Sequence, residues 1–164
     1  MPKFSNVYIS SSWKNREQVR EVASRLRAEG FTPYDFTDPS CRTTPEIPPE
    51  KFSENFDPDK HEYSEYIRSV PEWKQAVKAN QIALRDCDAV LLLLPCGNDA
   101  HADAYYALGL GKHLVVCGQP VKGDRTPTHL WADAVVPFAE DAVWYLATYR
   151  KNFSSHICNI PGWR

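Results

Sequence analysis

The stretch LLLLPCGNDAHADAYYALGLGKHLVV, residues 91–116, decides the fold class of this chain. A run of leucines ends at a proline, a short polar turn follows, and a small-residue segment then leads into a second apolar run. This order is typical of a strand, a loop, a helix and another strand. Strands that alternate with helices favour a parallel sheet with right-handed crossovers and helices on both faces.

The rest of the chain continues this alternation, and Pro33 indicates that the second strand lies at an edge of the sheet. We therefore expect an α/β fold of three α/β/α layers, doubly wound and flavodoxin-like, with about five parallel strands in the order 2-1-3-4-5. The predicted strands are 4–10, 31–36, 88–95, 113–118 and 133–138, and the predicted helices are 16–30, 69–87, 98–112 and 139–153.

The length of 164 residues predicts a single domain, which we place at residues 1–151. Residues 37–63 are rich in proline and acidic side chains and are too long for an ordinary connection, so we interpret them as a lid-like insert. A flexible insertion without a role is the alternative. Residues 152–164 form a C-terminal tail, and its end, NIPGWR, is a candidate contact with a partner.

Composition excludes several classes of protein. A net charge of −2 argues against a protein that binds nucleic acid by neutralising phosphates. The longest apolar run, residues 89–94, is too short to span a membrane, and the first ten residues lack the order of a secretion signal. The five scattered cysteines fit reduced thiols better than a disulfide framework. We therefore expect a cytoplasmic protein with no membrane partner.

Polar residues follow the first predicted strand, at the end of the sheet where ligands of such folds bind. Serines before a helix can cap it, but hydroxyls and free backbone amides at a helix start also suit an anion or a sugar. An aromatic ring beside them can stack on a flat ligand. There is no glycine-rich phosphate loop. The candidate binding residues in this segment are Ser10, Ser11, Ser12, Trp13 and Lys14.

Asp103 is the most informative acid in the opening stretch. Asn98 or Asp99 can cap the helix, whereas Asp103 lies one turn later, where capping explains less. Helical spacing allows Asn98, His101 and Asp99 to share a face with Asp103. A carboxylate near a helix start stays ionised, which suits a nucleophile or a group that stabilises positive charge. The alternative is a solvated acid on an exposed helix face.

The remaining reactive side chains give weaker signals. Cys96 lies at a strand end where nucleophiles occur, but no nucleophile elbow or assigned base accompanies it. The spacing of His101, His113, His129 and Cys117 does not match a zinc site. We expect neither a metal nor a cofactor.

In their order and spacing, VYISSSW, YDF, DAVLLLLPCG and AHADAYYALGLGKHLVV resemble the nucleoside 2-deoxyribosyltransferase-like superfamily. The superfamily includes nucleoside deoxyribosyltransferases and nucleotide N-glycosidases. The resemblance covers residues 4–148 without the insert, and the first strand also resembles that of TIR domains. It implies a small-molecule nucleoside or nucleotide as substrate, no polymeric nucleic acid as partner, and a homo-oligomer.

The resemblance also implies roles for individual residues. Enzymes of the superfamily break the bond between sugar and base, with a helix carboxylate as nucleophile, in the manner of a retaining glycosidase. Asp103 takes the place of that nucleophile, and Tyr8 that of a tyrosine that positions it. Ser12, Trp13 and Lys14 correspond to the loop that holds the base or 5′-phosphate. The sugar side is assigned to Asn80, Asn98 and Asp99.

Three positions depart from the superfamily pattern. Asp103 stands where glutamate is expected, which moves the carboxylate back by about one ångström, and misplacement on that scale can cost about 100-fold in rate. Asn80 stands where many members have aspartate, and Tyr105 where many have glycine. Three functions therefore remain open: an N-glycosidase or deoxyribosyltransferase, a catalytically silent nucleotide-binding or sensing module, and a TIR-like NAD-cleaving signalling domain.

Overall fold

The computed structural model describes residues 4–41, 57–122 and 127–156, with only the backbone of 153–156. Residues 42–56 of the predicted insert and 157–164 of the predicted tail lie outside these ranges. The strands are β1 (Asn6–Ser10), β2 (Thr32–Tyr34), β3 (Ala89–Leu93), β4 (His113–Cys117) and β5 (Ala134–Val136). The helices are α1 (Arg16–Ala28), α2 (Tyr63–Arg68), α3 (Pro71–Asp86), α4 (Asn98–Gly109) and α5 (Ala139–His156).

The five strands form one parallel sheet in the order β2-β1-β3-β4-β5, which confirms the predicted fold class and strand order. Strand β3 lies at the centre, and every one of its residues is buried. Strand β2 lies at an edge, as Pro33 indicated. The order of the strands reverses between β1 and β3, so the carboxyl ends of these two strands flank the crevice where such folds bind ligands.

Helix bounds follow local sequence signals. Helix α1 buries Val19, Val22, Ala23 and Leu26 on one face, and Gly30 behind it has a φ of +76°, which favours glycine. Helix α3 has Pro71 in its first turn, where the missing N–H is tolerated. Helix α5 continues to His156, past the predicted end at residue 153.

Helix α2 is the one described helix that lacks a specific sequence prediction. The side chain of Glu62 caps it by accepting a hydrogen bond from the backbone N–H of Glu65 at 2.8 Å. Its Tyr66 ring packs edge-on against Trp73 of α3, with centroids 5.6 Å apart. The six-residue helix therefore depends on α3 for its place, because so short a helix is marginal on its own.

Alternation along β1 assigns its side chains to two different layers. Val7 and Ile9 lie in the core between the sheet and helices α1 and α5. Tyr8 lies in the second core, between the sheet and helices α3 and α4. Because successive side chains of a strand point to opposite faces, this register fixes Tyr8 on the side of α4.

Helix α4 packs on the sheet through small side chains. Ala100, Ala104 and Ala107 are buried, with Ala104 and Ala107 at 0% exposure. Their spacing of four and three residues puts them on one face, and their size lets the helix lie close to β3. The side chains that flank this alanine face are consequently held near the sheet on either side of the helix.

Among the described residues, no helix combines the length and the apolar character that crossing a membrane requires.

His113, at the start of β4, is a buried titratable group far from the carboxyl ends of the strands. Its side chain is 8% exposed, its Nδ1 lies 3.1 Å from Asp133 Oδ2, and its ring stacks on Tyr149 at 4.0 Å. Burial lowers the pKa of His113, against the opposing effect of Asp133. The neutral ring therefore contributes stability above the unfolded-state pKa of about 6.5, and this contribution is lost as pH falls below it.

We expect His113→Phe to make the fold less sensitive to acid, because the substitution keeps an aromatic ring and removes the proton-binding group. Between about pH 7.5 and pH 5, its free energy of unfolding should fall by roughly 1 kcal/mol less than that of the wild type. Urea denaturation at both pH values measures this difference. His61→Phe, at an exposed histidine, is the control, and equal acid sensitivity in His113→Phe and the wild type would contradict the expectation.

Candidate active site

Tyr8 and Asp103 meet beside the point where the strand order reverses. Tyr8 comes from β1, is 2% exposed, and donates a hydrogen bond through its hydroxyl to Asp103 Oδ2 at 2.8 Å. Asp103 is half-buried on the face of α4 that borders β1. The other carboxylate oxygen, Oδ1, makes no hydrogen bond to a described residue. The hydrogen bond from Tyr8 therefore orients the Asp103 carboxylate through Oδ2 alone.

The electrostatics of this pair keep a proton on Tyr8 and make Asp103 easier to protonate than an ordinary acid. Burial raises the pKa of Asp103 to about 6, with a further increase from Asp99, while the Tyr8 hydrogen bond lowers it. Burial and the Asp103 charge raise the pKa of Tyr8 well above its ordinary value. Tyr8 is therefore a hydrogen-bond donor at neutral pH, and most of Asp103 is ionised there.

This pKa differs in direction from the sequence expectation that a helix start keeps Asp103 ionised. The helix begins at Asn98, so Asp103 is its sixth residue. The field of the helix terminus falls off within the first turn. Burial of Asp103 beside the sheet therefore raises its pKa by more than the helix dipole lowers it.

Tyr34, which is not among the site residues predicted from the sequence, extends the site toward β2 and α3. Its ring stacks on Tyr8 with centroids 5.0 Å apart and planes 8° apart, and its hydroxyl donates to Asn80 Oδ1 at 3.3 Å. The predicted site residue Asn80 is thereby linked to Tyr8 through Tyr34. The pairing register of β1 and β2 would have indicated Tyr34, because it places Tyr34 directly beside Tyr8.

The three serines after β1 are engaged in hydrogen bonds within the protein. Ser10 donates to the carbonyl of Ala100 at 2.9 Å, and Ser11 donates to the carbonyl of Leu93 at 3.0 Å. Ser12 accepts from the backbone N–H of Lys14 at 3.3 Å and caps the short 3₁₀ turn Trp13–Asn15. The structure thus gives all three hydroxyls a local role and supports the capping interpretation for Ser12.

Trp13 and Lys14 lie at the rim of the same region. The Trp13 ring contacts Phe36, which follows β2, with centroids 5.8 Å apart and planes tilted by 40°. Lys14 is exposed. Phe36 packs on the core that faces α1 and α5, whereas Tyr8 and Tyr34 belong to the core that faces α3 and α4. The structure therefore does not bring the Trp13 ring onto the Tyr8–Tyr34 stack.

The predicted residues of α4 divide between two sides of the helix. Asn98 and Asp99 are exposed in the first turn, and Asp99 lies on the side of Asp103 and acts on its charge. His101 lies on the other side, where its Nδ1 is 3.1 Å from the carbonyl oxygen of Gly97 and its Nε2 is 3.2 Å from Nε2 of His129. The structure does not bring His101 to Asp103, because residues two apart in a helix point in nearly opposite directions.

Tyr105, where the superfamily often has glycine, also lies on the side of His101. Its hydroxyl forms a hydrogen bond with that of Thr128, and its ring packs edge-on against Trp131 at 5.9 Å. Both partners belong to the 3₁₀ turn Pro127–Trp131. Tyr105 therefore holds this turn against α4 and does not narrow the space beside Asp103.

Within residues 4–41, 57–122 and 127–156, no group of three or more His, Cys, Asp or Glu side chains is arranged to hold a metal ion. The chemistry that the described site offers is that of one oriented carboxylate beside a protonated phenol.

No protein-family model matches the sequence, and no curated protein sequence matches it. Among solved structures, the chain is similar to the CMP N-glycosidase BcmB of Clostridium botulinum, with a TM-score of 0.49 and 12% sequence identity. The similarity covers 87% of this chain and 98% of that one. A likeness this distant concerns the arrangement of strands and helices, and we carry no residue or reaction across from it.

We expect two substitutions to move the pKa of Asp103 in opposite directions. Tyr8→Phe removes the hydrogen bond that favours the ionised carboxylate, so the pKa should rise above about 6. Asp99→Asn removes a neighbouring negative charge, so the pKa should fall. Carboxyl-carbon NMR titration of Asp103 in each variant measures the shifts, and no shift in Tyr8→Phe would show that the contact is absent in solution.

Proposed function

We propose that this protein cleaves or transfers at the N-glycosidic bond of a nucleoside or nucleotide, with Asp103 as the nucleophile. The hydrogen bond of 2.8 Å between Tyr8 and Asp103 carries this proposal. It orients a partly buried carboxylate at the reversal of strand order, where ligands of doubly wound folds bind. The resemblance of the motifs to the nucleoside 2-deoxyribosyltransferase-like superfamily supplies the reaction class.

The proposed reaction proceeds in two steps. Asp103 Oδ1 forms a bond to the anomeric carbon of the sugar as the bond from that carbon to the base breaks, and the base leaves with the bonding electrons. The transition state resembles an oxocarbenium ion, which a nearby negative carboxylate stabilises. Water or a second base then displaces Asp103 from the sugar, which restores the carboxylate.

Tyr8 supports this chemistry from behind the carboxylate. Its hydroxyl engages Oδ2, so the carboxylate cannot rotate freely, and the attacking oxygen is held in one direction. Restricting rotation of a reacting group lowers the entropic part of the barrier. The Tyr34 stack, in turn, restricts the Tyr8 ring.

Apart from His101, the other predicted residues keep their assigned roles in the proposed complex. Asn80, which is linked to Tyr34, and Asn98 and Asp99 at the start of α4 are assigned to the sugar hydroxyls. Trp13 and Lys14 are assigned to the base or 5′-phosphate. The hydroxyls of Ser10, Ser11 and Ser12 shape this loop through the bonds described above, so the loop's backbone amides are the better candidates for ligand contacts. A homo-oligomer remains a prediction, and its expected contact at 159–164 lies outside the described residues.

Turnover is tested by incubating the purified protein with a panel of nucleosides, nucleotides and NAD and measuring release of free base. We expect release from at least one nucleoside or nucleotide, and loss of about 1,000-fold or more in Asp103→Ala. Tyr8→Phe should retain part of the activity. Saturable binding without release, together with activity in Asp103→Glu, would instead identify a silent binding module, and release of nicotinamide alone would identify a NAD-cleaving enzyme.

The pH profile of turnover provides a second test of the nucleophile. Because Asp103 must be ionised to attack and has a pKa of about 6, kcat/KM should fall about tenfold per pH unit below that value. Asp99→Asn should shift the midpoint to lower pH. A rate that is independent of pH between about 4.5 and 8 would contradict Asp103 as the nucleophile.

We also expect Asp103→Asn to stabilise the protein while abolishing turnover. The folded-state pKa of Asp103 lies above its unfolded value, so its contribution to stability is present at low pH and lost as pH rises through about 6. The neutral amide avoids the buried charge and can still accept from Tyr8. Its free energy of unfolding at about pH 8 should exceed the wild-type value by about 1 kcal/mol, and the gain should vanish near pH 4. Urea denaturation at the two pH values measures this, and a variant that is less stable at pH 8 would contradict the burial argument.

A further inference from the structure

A second cluster of reactive side chains lies on the side of α4 that faces away from Asp103. Cys96 stands in the loop between β3 and α4, and its Sγ lies 3.5 Å from Nδ1 of His101. Nε2 of His101 lies 3.2 Å from Nε2 of His129, which belongs to the 3₁₀ turn Pro127–Trp131. Cys96 and both histidines are half-buried, so solvent reaches the cluster.

The contacts of His101 determine where its proton is. Nδ1 lies 3.1 Å from the carbonyl oxygen of Gly97, which can only accept a hydrogen bond, so Nδ1 carries the proton. In the neutral ring Nε2 is then an acceptor, and His129 donates to it through its own Nε2. The direction of donation is therefore from His129 to His101 and from His101 toward Gly97 and Cys96.

The relative orientation of the two rings agrees with this assignment. The rings lie nearly in parallel planes, 13° apart, with centroids 5.4 Å apart and the two nitrogens 3.2 Å apart. The two nitrogens are thus much closer to each other than the centroids are. The rings therefore lie edge to edge, with the nitrogens on the line between them. One proton fits between them, and this shared proton fixes the tautomer of His101.

This arrangement makes the sulfur of Cys96 an acceptor. The Nδ1–H of His101 is shared between the closer carbonyl oxygen of Gly97 and this sulfur. An imidazole N–H shared with a cysteine sulfur favours the thiolate, which is the form that reacts with electrophiles. The start of α4 at Asn98, two residues further on, acts in the same direction. The thiols of Cys87 and Cys117 are buried, and burial raises the pKa of each to about 11. Cys41 is half-buried like Cys96 and provides a reference within the same chain.

We propose that Cys96, His101 and His129 form a reactive-thiol site whose substrate is a peroxide. The Cys96 thiolate attacks one oxygen of hydrogen peroxide, a sulfur–oxygen bond forms, and the oxygen–oxygen bond breaks. The departing hydroxide takes a proton from solvent and becomes water. Sulfur is oxidised to sulfenic acid and the peroxide is reduced. One small thiol then converts the sulfenic acid to a mixed disulfide with loss of water, and a second small thiol attacks that disulfide, which releases the Cys96 thiolate and a small-molecule disulfide. This site does not depend on the function proposed for Asp103.

The test treats the native protein with hydrogen peroxide near neutral pH and traps sulfenic acid with dimedone. Peptide mapping by mass spectrometry follows the rate of labelling at each cysteine. We expect Cys96 to be labelled about tenfold faster than Cys41, and the buried Cys87 and Cys117 to stay unlabelled. Labelling of Cys96 no faster than that of Cys41 would overturn the proposal.

Two ring-for-ring substitutions separate the role of the imidazoles from their packing. His101→Phe removes the donor and should lower the Cys96 labelling rate about tenfold, to that of Cys41. His129→Phe leaves the Nδ1 donor of His101 in place but removes the hydrogen bond that fixes the tautomer of His101. We expect the Cys96 labelling rate to fall by a smaller factor, about threefold. Circular dichroism confirms that each variant is folded, and His61→Phe is the matched control. An unchanged rate in both folded variants would overturn the assignment of the histidines.

The Asp103 titration separates the two sites. Cys96→Ser should abolish labelling at that position while leaving the NMR titration midpoint of Asp103 near its wild-type value. If the Asp103 midpoint moves by a full pH unit, the two clusters form one coupled site and are not independent. Failure of the turnover panel has no bearing on the labelling rates, so the two proposals can fail separately.

Discussion

Strand β3 pairs in parallel with β1 on one side and with β4 on the other, and the remaining elements take their places from these two ladders. Its residues are buried on both faces, so helices must cover the sheet from both sides. Because β2 joins the outer edge of β1, the chain has to pass back over the sheet to reach β3. That reversal opens the crevice at the carboxyl ends of β1 and β3, and the loop after β3 leads directly into α4. The position of Asp103 is thus a consequence of sheet topology.

Two opposing effects act on the Asp103 carboxylate at this crevice. Removing Asp103 from water favours its protonated form, while the Tyr8 hydroxyl favours the ionised form. Burial is the larger effect, and the pKa of Asp103 is raised to about 6. An acid in an exposed position would stay ionised but would also be well solvated and a poor nucleophile. A fully buried acid without Tyr8 would stay protonated. The observed combination keeps an ionised carboxylate that is partly stripped of water and held in one orientation.

The fold could be predicted from the sequence because its signals are local and redundant. The buried run at 89–94, the helical spacing of Val19, Val22 and Leu26, and the edge signal of Pro33 each point to one element type. The pairing of Tyr8 with Asp103 depended on the resemblance, since the two residues are 95 positions apart. Tyr34 could not be found from spacing, because its contact requires the β1–β2 register. Helix α2 was missed because six residues provide too little periodicity.

The two sides of α4 show where helical spacing alone misleads. Residues three and four apart lie on neighbouring parts of a helix surface, so Asn98, Asp99, His101 and Asp103 looked compatible with one cluster. The alanine face of Ala100, Ala104 and Ala107 points at the sheet and divides the helix surface into two flanks. Asp103 lies on the flank toward β1, and His101 lies on the flank toward the turn Pro127–Trp131, together with Tyr105. Packing against the sheet therefore decides which polar residues of α4 can act together, and one short helix presents a carboxylate on one flank and an imidazole on the other.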